Sequence, residues 1–95
     1  MRLDKWLKVS RLIKRRTVAQ MACDQNRVYV NERPAKSSLV VKVDDLVHLE
    51  LGSRALTVKV VTVPAGAVPA QDASSLYELV EEIKRQAEVL EWLEE

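Results

Sequence analysis

Apolar residues open the chain at Leu3, Trp6, Leu7, Val9, Leu12 and Ile13, with lysines between them. These spacings predict a short helix over residues 3–13. Asp4 is placed to act as its N-cap or as an acid in its first turn, where the positive helix end favours it. Lys14, Arg15 and Arg16 form a basic connector. Thr17-Val-Ala-Gln20 has the spacing of a capping box, a hydroxyl followed three residues later by Gln. It predicts a second helix over residues 17–25 that buries Val18, Met21 and Ala22. Asn26 suits the end of that helix, because asparagine tolerates the left-handed conformation.

The period then changes from helical to alternating. Val28 and Val30 share one face and Tyr29 and Asn31 the other, which predicts a half-buried strand over 27–31. Glu32-Arg33-Pro34 reads as a turn, Leu39–Val43 as an apolar run and Asp44-Asp45 as another turn. Val47–Leu51 and Ala55–Val63 read as strands joined through Gly52-Ser53-Arg54. The expected fold is α+β, with two N-terminal helices packed on a small, mainly antiparallel sheet. Pro64–Pro69, with Gly66 between, reads as a linker. Ser75-Leu-Tyr-Glu78 has the spacing of a second capping box. Leu76, Leu79, Val80, Ile83, Ala87, Leu90 and Leu93 follow at helical intervals. They predict an amphipathic acidic helix. The expected organisation is a domain over 1–63, a linker over 64–72 and a C-terminal helix over 73–95.

With 95 residues, the chain has room for one compact domain, or for one small domain plus an appendage, not for a multidomain enzyme. Its net charge of +1 conceals a strong asymmetry. Residues 1–42 hold eleven basic and three acidic side chains, a balance of +8. Residues 43–95 hold four basic and eleven acidic side chains, a balance of −7. Such a dipole points to a half that binds a polyanion and a half that avoids it. The uncharged stretch over 60–71 is broken by Pro64 and Pro69, so no membrane span is expected. One cysteine and no secretory leader pattern lead to an expected cytoplasmic location.

Little in the sequence suits catalysis. His48 lies alone in a strand, Cys23 beside Ala22 in a helix, and Asp44-Asp45 in a turn. With only Gly52 and Gly66, the chain lacks a glycine-rich phosphate loop. With one His and one Cys, it also lacks the usual zinc ligands. No catalytic, metal or cofactor site is therefore expected. The basic half is more informative. Arg2, Lys5, Lys8 and Arg11 recur along the first helix, and Lys14, Arg15 and Arg16 precede the second. Helix N-terminal amides beside cations make a phosphate site, and the pattern points to nucleic acid. Trp6 is expected in the core. Tyr29 is open to either solvent or RNA. Too few aromatics are present for a stacking platform, so recognition of folded RNA by shape and backbone is expected.

Arg2-Leu-Asp-Lys-Trp-Leu7, the basic connector, Thr17-Val-Ala and Val28-Tyr-Val-Asn31 occur in an order that carries further information. Pro34, Ala35, Ser37-Ser38, Val43-Asp-Asp45 and Leu46–Leu49 continue it. Together, over residues 1–51, they resemble the alpha-L RNA-binding domain, the type named for small-subunit ribosomal protein S-four. The resemblance implies RNA held along the face shared by the two helices. Carried over position by position, it implies leading contacts from Arg2, Lys5, Arg15, Arg16, Thr17 and Gln20. Lys8, Lys14, Arg27 and Lys36 follow in second rank. The family usually has glycine where Asn26, Glu32 and Asp44 stand here. Glu32 is expected to put a negative charge near the RNA face.

A stand-alone domain with a short extension resembles the heat-shock-protein-like subgroup, and within it the ribosome-associated quality-control factors. That implies binding to obstructed large ribosomal subunits carrying peptidyl-tRNA, with contacts to tRNA and large-subunit rRNA. It implies holding the tRNA while an alanine-tailing factor extends the stalled nascent chain. The chain is expected to be a monomer off the ribosome. The alternatives are a large-subunit maturation factor, or a protein-docking adaptor acting through the C-terminal helix.

Overall fold

A computed structural model describes residues 1–84. Two helices, α1 (Leu3–Val9) and α2 (Arg16–Asp24), precede strands β1 (Val28–Val30), β2 (Arg33–Pro34), β3 (Leu46–Glu50) and β4 (Arg54–Val60). A 3₁₀ turn over Ala70–Leu76 leads into β5 (Tyr77–Lys84). The strands form one antiparallel sheet in the order β2-β1-β3-β4-β5. This is the expected α+β arrangement of two helices on a small sheet.

The core follows the apolar periodicity. Leu3, Trp6 and Leu7 of α1 meet Val28, Val47, Leu49, Val58 and Val60 of the sheet, all fully buried. The Trp6 indole also donates a hydrogen bond to the Thr62 carbonyl, at 3.1 Å. Met21, expected inside, lies on the outer side of α2 and is exposed. Ala19 takes the inward position instead.

α1 is shorter than expected because the chain turns left-handed at Arg11, with φ 61°. Ser10 caps the helix by donating its hydroxyl to the Leu7 carbonyl at 3.1 Å, and Ile13 still reaches the core. α2 ends as Asn26 predicts. Asn26 has φ 57°, its amide reaches the Cys23 carbonyl, and the Arg27 amide reaches Ala22. These two bonds make a Schellman motif. The Thr17 capping box does not form, since no side chain caps α2.

Residues 32–34 form part of a hairpin rather than a simple turn. Val30 pairs with Arg33 and Tyr29 with Pro34, leaving Asn31 and Glu32 as a two-residue loop. Both have positive φ, 51° and 71°, as a type I′ turn requires to match the strand twist. Glutamate is poorly suited to that conformation. Glu32→Gly is expected to stabilise the fold by about 0.5–1 kcal/mol. Urea denaturation checks this, and a lower midpoint for the variant would contradict the strain.

The C-terminal expectation needs correction. Tyr77–Lys84 is a strand, not the start of a helix, and pairs along β4 from Val60↔Tyr77 to Arg54↔Lys84. Ser75 donates to the Asp72 carbonyl instead of forming a capping box. The cause is a bulge. Val58 pairs with Leu79 and Thr57 with Glu81, so Val80 is an extra residue. An extra residue reverses the alternation of faces beyond it. Apolar residues at 76, 79, 80 and 83 therefore imitate a helical period while lying in a bulged strand. The pairing satisfies the backbone groups on the outer edge of β4. The rest of the expected helix, residues 85–95, lies outside the described residues.

Candidate nucleic-acid interface

The two helices are joined at their basic surface by a buried carboxylate. Asp4 is 0% exposed. Arg2 approaches it with both Nε and Nη2, each at 3.3 Å. Arg16 Nε lies 3.2 Å from Oδ2, and Gln20 Nε2 donates to the same oxygen at 2.8 Å. The Lys5 backbone amide donates to Oδ1 at 2.8 Å. Burial alone pushes the Asp4 pKa up. The hydrogen bonds from Gln20, Arg16 and the Lys5 amide, with the charge of Arg16, more than reverse it. The carboxyl therefore titrates below its ordinary value.

This clamp orients cations without hiding them. The side chains of Arg2 and Arg16 remain 47% and 42% exposed. Each guanidinium keeps donors for a second acid group, such as a phosphate. Beside them α2 begins uncapped, with exposed Lys14, Arg15 and Thr17 around its start. Its first-turn amides have no intrahelical acceptors. Amides beside cations are an arrangement suited to an anion.

The other expected contacts divide by position. Lys8 and Lys14 come together around a cleft of about 170 Å³, which Arg11 also lines. Arg11, part of the basic pattern of the first helix but not one of the contacts carried over by resemblance, lies there on a left-handed backbone. Lys5 is half-buried on α1, within the clamp region. Gln20 has its amide committed to Asp4. Lys36 lies beyond β2, among residues lining a separate groove. Arg27 is not brought into the cluster. It follows the far end of α2, a helix about 13 Å long, and its Nε donates to Gln25.

The opposite face of the sheet has a different character. Tyr29 meets His48 edge-on, with ring centroids 6.0 Å apart. His48 Nε2 lies 3.1 Å from Glu50, and Nδ1 lies 2.8 Å from Thr57 Oγ1. Glu50 can only accept, so Nε2 donates to it, and in the neutral imidazole Nδ1 accepts from the Thr57 hydroxyl. Glu32 lines a pocket with these residues. Its charge thus belongs to the helix-free face of the sheet rather than to the face shared by the two helices. Cys23 is buried, and burial pushes its thiol up to about 11, helped by the charges of Asp4 and Asp24. It stays protonated and inert at neutral pH. Among the described residues no group of His, Cys, Asp and Glu could hold a metal ion.

Residues 1–47 match the family described as the S4 domain. A Streptococcus pneumoniae protein named RQC P-site tRNA stabilizing factor is 46% identical over 84 residues, 88% of this chain and 94% of its own. The chain belongs to the family of S4-domain RQC P-site tRNA stabilizing factors. A second member of that family, from Halalkalibacterium halodurans, is 48% identical over 86% of this chain and 92% of its own. The fold of the family extends to heat shock protein 15. The trimeric structure of the Vibrio cholerae protein superposes with a TM-score of 0.79 at 29% identity, covering 84% of this chain and 81% of that one. In this member of the family, the sequence from Arg2 to Gln20 builds the Asp4 clamp.

Proposed function

We propose that this protein is a non-catalytic RNA-binding factor of ribosome-associated quality control. It holds P-site tRNA on large ribosomal subunits obstructed by peptidyl-tRNA. The observation that carries this reading is the clamp: one buried carboxylate orients Arg2 and Arg16 beside the uncapped start of α2. The names of its relatives supply the RNA and the setting.

The mechanism needs binding energy alone. Exposed cations neutralise phosphates on tRNA and adjacent large-subunit rRNA, and release of counterions drives association. Arginines held in a fixed fork favour one backbone geometry over others. A tRNA held in that geometry stays in place while an alanine-tailing factor acts on the nascent chain. The protein works as a monomer in the cytoplasm, and no bond is made or broken in its own site. Among the described residues no helix is long and apolar enough to cross a membrane.

Co-sedimentation with large subunits carrying peptidyl-tRNA tests the reading. Arg16→Glu is expected to weaken binding at least tenfold, about 1.4 kcal/mol. Lys14→Glu accompanies it, because that side chain has no ion-pair partner among the described residues and its loss leaves folding intact. Full retention of both variants in the pellet would place RNA elsewhere. Crosslinking on the same particles separates the maturation alternative, which requires crosslinks confined to immature rRNA.

A further inference from the structure

A groove of about 760 Å³ opens between the β1–β2 hairpin and the segment over residues 36–42. Its floor is aliphatic, with Val30, Pro34, Leu39 and Val40. Its rim carries Arg33, Lys36 and Lys42. Among the described residues none of these three side chains has an ion-pair or hydrogen-bond partner. The groove holds one carboxylate, Asp45, and both its oxygens are engaged. Asn31 Nδ2 donates to Oδ1 at 3.0 Å and the Lys42 amide to Oδ2 at 2.9 Å. Three cations without a partner among the described residues thus share the groove with a carboxylate that is already satisfied.

The groove is stitched to the start of α1. The Leu3 amide donates to the Leu39 carbonyl at 2.7 Å, Asp4 to Ser37 at 3.2 Å, and Val41 to Met1 at 3.0 Å. Arg2 forms a β-bridge with Val40. A polyanion lying across the Asp4 clamp therefore meets this groove next.

We propose that the groove is a second RNA subsite, which takes unpaired nucleotides next to the segment gripped by the helices. The inference rests on the RNA-binding reading above and extends it. A rim of cations fits phosphates, as it would on the helical face. The aliphatic floor is what distinguishes the site. Bases in a duplex are stacked and turned inward, so among nucleic acids an unpaired base or its ribose is what can cover that floor. The Arg33 guanidinium supplies a plane on which such a base can stack. A peptide of acidic residues alone would satisfy the rim but leave the floor uncovered.

Fluorescence anisotropy with the full chain tests this, using a twelve-nucleotide oligouridine, a twelve-base-pair RNA duplex and a twelve-residue polyglutamate. The test variant is Arg33→Ala/Lys42→Ala. Both side chains are exposed, and the hydrogen bond of Lys42 comes from its backbone, so the hairpin is retained. The variant is expected to bind oligouridine at least tenfold more weakly and the duplex within twofold of wild type. Its salt dependence on oligouridine should fall by about 1.4 in log–log slope, for two lost phosphate contacts. Equal affinity for both RNAs, or equal loss on both, overturns the subsite while leaving RNA binding intact. Polyglutamate binding as tight as oligouridine and lost in the same variant overturns it in favour of a peptide. A wild-type protein that binds neither RNA overturns the functional reading itself.

Discussion

Asp4→Asn is expected to weaken RNA binding, although it removes a negative charge from the middle of a cationic surface. Simple electrostatics predicts the opposite sign. The clamp decides the matter, because the Asp4 carboxylate accepts from Arg2, Arg16, Gln20 and the Lys5 amide at once. Asparagine offers one acceptor oxygen and cannot hold both guanidinium groups. Arg2 and Arg16 are then free to leave the geometry proposed to meet RNA. The expected cost in stability is about 2–3 kcal/mol, below that of a fully buried pair because both arginines can turn to water. The pH dependence gives an independent check. The folded pKa of Asp4 lies below its unfolded value of 3.8. The carboxylate's contribution is therefore present above that value and is lost as pH falls through the folded one. The gap between wild type and Asp4→Asn in urea denaturation should narrow over that acid window. Tighter RNA binding by the variant, or a gap unchanged by acid, would contradict the clamp.

Trp6→Ala should produce the largest loss of stability. Trp6 is fully buried at the junction of α1 with the sheet, and truncating a buried tryptophan costs about 3–5 kcal/mol. A domain of this length holds about 5–14 kcal/mol in total, so much of its margin goes. Thermal unfolding should shift down by about 15 °C or more. Trp6→Phe separates packing from the indole hydrogen bond to Thr62, and should cost about 1 kcal/mol for the bond plus a small packing loss. A Trp6→Ala protein that melts within a few degrees of wild type would show that α1 is anchored elsewhere.

The parts of this molecule that follow one periodicity were legible in its sequence. Leu3, Trp6 and Leu7 gave α1, and the alternation at Val28–Val30 gave β1. Asn26 gave the end of α2. The parts that were not legible combine two signals. Val80 adds one residue to β5, so an alternating strand reads as a helix from Leu76 onward. Asn31 and Glu32 form a tight turn without the glycine that normally announces it. At the site, residue type located the cations but not their order. Asp4 reads as an ordinary first-turn acid, because its partners Arg16 and Gln20 lie on another helix. Only the packing of α1 against α2 reveals that it joins them. Arg33 and Lys42 escaped notice for the same reason, since they flank one groove from two separate segments.

The hydrogen bond from Trp6 to Thr62 has a consequence for the order in which the protein is made. The cations proposed to meet RNA are translated early, between Arg2 and Lys42. The β-strands that seat α1 follow them, and Thr62 comes 56 residues after Trp6. A growing chain thus displays its positive charge before it can arrange it. Pairings so distant in sequence form late and slowly. Specific recognition therefore begins only after synthesis has passed β4, and a product truncated before Thr62 would be a polycation without a shape.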